Sequence, residues 1–147
     1  MIENLRTRVI DLANTVFSVL GPGHSECVYQ NAMAIELQEA GLICQKEVAV
    51  PIYYKTYQVG AGRMDIVIYP EANHLFVLEL KAVRSAIGNT EQTQLLHYLQ
   101  NLKIAYPYLT VQGLVLNFPK QGAEVQIIDF SQTTGPGSEP LKDASPV

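Results

Sequence analysis

Apolar residues recur at spacings of three and four through Ile2, Leu5, Val9, Leu12, Val16 and Val19, the period of a helix with one buried face. That pattern predicts a helix over residues 2–20, which Gly21-Pro22-Gly23 breaks. A second helix is predicted from about Ser25 to Ala40, burying Val28, Tyr29, Ala32, Met33 and Leu37, with Gly41 as its stop. Beyond Leu42 the period shortens to that of strands. Residues 47–54 and 57–59 read as a hairpin around Lys55-Thr56, and residues 63–69 and 75–82 as two stronger strands. A third helix is expected from Thr90 to about Ile104, with Asn89 or Thr90 as N-cap and Leu95, Leu96, Leu99 and Leu102 as its buried stripe. Residues 111–118 and 124–130 read as the last two strands.

Two helices, three or four strands, a helix and two strands make an α/β fold, with helices packed on a mixed central sheet. The third helix is long enough to be the crossover between two parallel neighbours. From Ser131 the chain is rich in Ser, Thr, Gly and Pro and nearly free of core-forming residues. One domain over residues 1–130 is therefore expected, followed by a disordered or draped tail over 131–147.

Composition narrows the function classes. With 147 residues, 48% of them hydrophobic and 16% charged, the chain can bury a sizeable core and does not have a disordered composition. A net charge of −4 argues against a protein that coats nucleic acid through bulk positive charge. It leaves room for a cluster of metal-binding acids, whose charge the ion offsets locally. Cys27 and Cys44 are the only cysteines, and residues 1–4 lack the basic-then-apolar pattern of a leader, so a reducing, cytoplasmic setting is expected. No apolar run approaches the roughly 20 residues of a membrane helix.

Candidate chemistry sits at the end of the apolar run His74-Leu75-Phe76-Val77-Leu78-Glu79-Leu80. Side chains alternate along a strand, so Glu79 and Lys81 point the same way. A carboxylate and an ammonium there need each other, a metal, or both. Asp65, on a neighbouring strand, brings a second carboxylate. Asp65 and Glu79 are hard oxygen ligands suited to Mg²⁺ or Mn²⁺, and the Leu80 carbonyl could add a third oxygen. Lys81 can hold a water or offset charge that develops on a phosphate under attack. Most acid-x-lysine triplets are solvated pairs on strand surfaces; apolar neighbours on both sides argue against that here. His24 and Cys27 lack a second ligand cluster, so Cys27 is expected in the core and His97 as an ordinary helix histidine.

Gly23-His24-Ser25-Glu26-Cys27-Val28-Tyr29 spells G-x-x-E-x-x-Y. With Asp65, Glu79-Leu80-Lys81 and Gln94-Leu95-Leu96-His97-Tyr98-Leu99 in that order, the chain resembles the GxxExxY family of the PD-(D/E)xK nuclease-like superfamily. The resemblance covers about residues 5–130. It implies a restriction-endonuclease-like core with Glu26 as a helix-borne metal ligand and Gln94 as a polar residue lining the site, orienting water or phosphate. Tyr29 and Tyr98 read as packing residues with a polar tip. Arg63-Met64-Asp65 stands where many relatives place a proline before the aspartate, and Arg63 and Arg84 are either phosphate contacts or solvated charges.

The leading expectation is therefore a Mg²⁺- or Mn²⁺-dependent nuclease. DNA is favoured over RNA only through the resemblance. The runner-up is an inactive nuclease-fold module that binds nucleic acid or a protein partner. A third reading makes Tyr53-Tyr54-Lys55-Thr56-Tyr57 an interaction edge, through which a homodimer would form.

Overall fold

A computed structural model describes residues 2–84, 88–122 and 124–132. The elements are α1 (Ile2–Leu20), α2 (Glu26–Glu39), β1 (Cys44–Tyr54), β2 (Tyr57–Ile68), β3 (His74–Lys81), α3 (Asn89–Ala105), β4 (Thr110–Asn117) and β5 (Gln126–Gln132). They build one five-stranded sheet in the order β1-β2-β3-β4-β5. Every neighbouring pair is antiparallel except β3 and β4, which α3 joins as a parallel crossover. This is the mixed α/β sheet that the element order predicts.

Each sheet face has its own core. Leu5, Val9, Val16 and Phe17 of α1 and Tyr29, Met33 and Leu37 of α2 pack on Ile66, Ile68, Leu78 and Leu80. Leu95, Leu99 and Leu102 of α3 pack on Val50, Met64, Val67, Val77 and Val115 on the opposite face. Among the described residues, no helix is long and apolar enough to cross a membrane.

Several local expectations are corrected. Residues 57–68 form one strand, where separate strands over 57–59 and 63–69 are expected. Gly62 is there for close approach: a Cβ would lie 2.6 Å from Cε1 of Tyr98, whose ring covers it. Val19 is 77% exposed, because Val16, Phe17 and Leu20 take the inward arc at the end of α1. Cys27 is exposed and Val28 is 38% exposed, since Tyr29, Gln30 and Met33 take the inward face of α2. Leu96 is only half-buried, beside the fully buried Leu95 and Leu99. The N-cap of α3 is Gly88, whose N–H the Glu91 carboxylate accepts at 3.0 Å. β5 runs through Gln132, two residues past the expected domain boundary, and the rest of the expected tail lies outside the described residues.

Candidate active site

The site begins with a fault in the sheet. A regular strand keeps residues i and i+2 on one face. Met64 faces the core under α3, yet Ile66 faces the core under α1 and α2. The pleat therefore reverses at Asp65. The paired residues Lys46↔Ile66 and Val48↔Met64 flank the reversal, and between them Glu47 adopts φ 54. Few non-glycine residues take that conformation, and here it lets β1 follow β2 through the reversal.

On its other side β2 stays paired with β3 only over Ile66↔Leu78, Val67↔Val77 and Ile68↔Phe76. Past that point the backbone groups need other partners. The Asp65 carboxylate accepts the Leu80 N–H through Oδ2 at 2.7 Å, and the Glu79 carboxylate accepts the Asp65 N–H through Oε1 at 3.2 Å. Gln30 of α2 donates its amide to the Asp65 carbonyl at 2.8 Å. Three polar side chains thus stitch a seam that would otherwise be closed by a ladder. Asp65 and Glu79 each keep a second oxygen. The Leu80 carbonyl leaves β3 on the same edge as its N–H, toward that seam.

Burial makes this an expensive place for charge. Glu79 is 3% exposed. Its pKa is pushed up to about 8, first by burial and then by the Asp65 charge, against the lowering effects of the Asp65 N–H and Lys81. Asp65 is also raised, chiefly by burial, while the Leu80 N–H and Lys81 pull it down. Lys81 is half-buried on the face of β3 that carries Glu79. Glu26, exposed at the start of α2, is near enough for its charge to raise both acids. Among the described residues, however, no three His, Cys, Asp or Glu side chains converge closely enough to hold a metal ion.

The other sequence candidates separate into supports and outliers. Tyr29 is fully buried, stacks on Phe118 with centroids 4.4 Å apart, donates its hydroxyl to the Gly21 carbonyl and accepts the His24 N–H. It ties down the loop in which Gly23 takes φ 102, so the G-x-x-E-x-x-Y spacing fixes where Glu26 begins its helix. Gln94 donates to the Tyr98 hydroxyl at 3.1 Å and lines a groove between α3 and β1, so the structure gives it a partner other than the carboxylates. Arg63 is 69% exposed and pairs with Glu47 at 3.8 Å, and Arg84 is exposed. His97 is an exposed helix residue, as expected.

Two residues escape the sequence reading. Gln30 follows Glu26 by one helical turn, a spacing that could have marked it as facing the same end of the sheet. Asn117, fully buried at the end of β4, accepts the Val83 N–H and donates to the Val83 carbonyl and to Gln126. It anchors the chain just after Lys81. A lone asparagine ending an apolar run carries no such signal in sequence.

A family model described as the PD-(D/E)XK nuclease superfamily matches residues 3–129. The chain belongs to that superfamily. A comparison with curated proteins gives no match. In this PD-(D/E)XK domain the matched span takes in both sheet faces and the whole seam, from α1 to the last strand. Asp65 at the end of the β2 pairing and Glu79-Leu80-Lys81 at the end of β3 stand in the order of the superfamily's name.

Proposed function

We propose that the chain is a divalent-metal-dependent nuclease that hydrolyses phosphodiester bonds of nucleic acid, DNA being the first substrate to test. Two carboxylates meeting in an opened, buried seam beside Lys81 carry this reading. The donor set suits Mg²⁺ or Mn²⁺. Magnesium is commonly held by one or two carboxylates, waters and substrate phosphate rather than by a complete protein cage. Asp65 and Glu79 supply the carboxylates, with the Leu80 carbonyl beside them, and Glu26 adds negative potential from α2. The raised proton affinity of Glu79 has the same origin, because two acids share one poorly solvated place.

A bound ion there would polarise the phosphate and ease deprotonation of water. The chain's own part is positional. The backbone N–H groups of Leu80 and Asp65 fix the carboxylates, and Gln30 fixes the Asp65 backbone. Lys81 offsets charge that builds on the phosphate oxygens. Gln94, through its bond to Tyr98, is set to contact the substrate strand rather than the ion. The finer placement within the GxxExxY family rests on Gly23, Glu26 and Tyr29.

The test is cleavage of single-stranded, duplex and branched DNA and of RNA in Mg²⁺ or Mn²⁺, comparing wild type with Glu79→Gln and Lys81→Ala. Wild type is expected to cut, and each variant to lose at least roughly a hundredfold in rate. Equal cutting by all three proteins, or binding without turnover by wild type, would overturn the assignment. The second result would make the chain a binding module.

A further inference from the structure

We propose that the groove between α3 and the β1–β2 hairpin holds unpaired nucleobases of the substrate strand, so that the protein selects single-stranded over duplex nucleic acid. This inference rests on the nuclease reading of the seam and specifies its substrate.

The groove has a volume of about 580 Å³, and its walls include Tyr53, Thr93, Gln94, His97, Tyr98 and Asn101. None of its lining residues is Lys, Arg, Asp or Glu. A duplex is gripped mainly through its phosphates, by cations that this wall lacks. Aromatic walls without charge suit bases, every one of which has a face to stack.

Three polar side chains of the walls, Asn101, Gln94 and Tyr98, are engaged within the protein. Asn101 accepts the Tyr53 N–H at 2.9 Å and donates to the His97 carbonyl at 2.7 Å. Gln94 donates to the Tyr98 hydroxyl, and the Tyr98 ring lies over Gly62. These bonds hold the hairpin against the helix, with the rings of Tyr53, His97 and Tyr98 among the lining groups that a ligand would meet. Such walls favour stacking that tolerates any base.

Position links the groove to the seam. Tyr98, which lines the groove, covers Gly62 of β2, three residues before Asp65, and Gln94 lies one turn before Tyr98 on the same face of α3. A strand with a phosphate at Asp65, Glu79 and Lys81 can therefore run on along α3. From Thr90 to Asn101 the helix rises about 16 Å, room for more than one base. At the far end Lys55 sits at the hairpin tip, its ammonium 5.4 Å from the Tyr54 ring centroid, as a partner for the next phosphate. The net charge of −4 points the same way, toward few phosphate contacts and a larger share for stacking.

The experiment is fluorescence anisotropy with a labelled DNA oligonucleotide in Ca²⁺. The same sequence is presented single-stranded, as a blunt duplex, and single-stranded with abasic residues replacing successive bases. Tyr53→Ala, Tyr53→Phe and His97→Ala are measured beside wild type; Tyr53→Ala keeps the backbone N–H that Asn101 accepts. Wild type is expected to bind the single strand at least tenfold more tightly than the duplex, and to lose roughly tenfold on the abasic strand. Tyr53→Ala and His97→Ala should weaken the normal strand but not the abasic one, and Tyr53→Phe should restore wild-type binding. Equal affinity for single strand and duplex, or variants that weaken normal and abasic strands alike, would overturn the proposal. So would competition by a neutral peptide but not by single-stranded DNA. Cleavage in Mn²⁺ is read in parallel. Cutting without base-dependent binding removes the groove alone, and base-dependent binding without cutting removes the nuclease reading alone.

Discussion

The two sides of β3 have opposite fates. Toward β4 the strand keeps its register over eight pairs, from His74↔Thr110 to Lys81↔Asn117, and a Phe118 N–H to the Lys81 carbonyl extends it further. Toward β2 it keeps three pairs and then opens. On the β4 side the partners are backbone; on the β2 side the Leu80 and Asp65 N–H groups and the Asp65 carbonyl are met by the side chains of Asp65, Glu79 and Gln30. Closing a seam with carboxylates costs desolvation, which appears as the raised pKa values of both acids. In return the open side carries charged groups that can exchange a backbone partner or a proton for a cation, which a ladder cannot do. Chemistry belongs on that side, and rigidity on the other.

The comparison can be broken from either side. The largest effect on stability is expected at Glu79, and its sign follows from the pKa. The folded protein holds the Glu79 proton more tightly than the unfolded chain does, so the metal-free wild type loses stability as pH rises from about 4.5 to about 8. Glu79→Gln keeps an oxygen for the Asp65 N–H and has no charge to desolvate. It should match wild type near pH 4 and exceed it above pH 8, by on the order of 3 kcal/mol in urea unfolding without metal. Equal stability at both pH values would mean that the seam carries no buried charge.

On the closed side, Gly113 pairs with Val77, and a Cβ there would sit 2.9 Å from the Val77 carbonyl oxygen and 3.0 Å from Leu95 Cδ1. Gly113→Val should therefore cost about 2 kcal/mol at any pH, because a ladder carbonyl cannot move aside. Smaller still, Gln30→Leu removes the donor to the Asp65 carbonyl and should cost about 1 kcal/mol, with a larger loss in cleavage rate than in stability. A Gln30 variant with unchanged kinetics would show that the Asp65 backbone needs no outside support.

How much of this the sequence carries follows the same division. The closed side was legible: apolar runs over 75–82 and 111–118, with a helix between them, predict the parallel pair that forms. Asp65, Glu79 and Lys81 also stood out, because charge at the end of an apolar strand is rare enough to notice. The open side was not legible in detail. Nothing in local periodicity says that the pleat reverses at Asp65, since Arg63-Met64-Asp65-Ile66 alternates like any strand. The reversal is accompanied across the sheet by Glu47, at a positive φ that its residue type does not signal. The continuity of β2 between residues 59 and 63, through Gly60-Ala61-Gly62, is hidden for a related reason. Glycine usually marks a turn, but here it admits the ring of Tyr98, a residue far away in sequence. Gln30 and Asn117 were missed because their roles are to satisfy particular backbone groups that only the fold brings near.

The most direct test of the opened seam is calorimetric titration of Mn²⁺ into wild type and Glu79→Gln at pH 8. Wild type is expected to show a binding event that Glu79→Gln weakens at least tenfold while remaining folded. Identical titrations for the two proteins would contradict that expectation, because the ion would then bind elsewhere and the carboxylates of the seam would serve the fold alone.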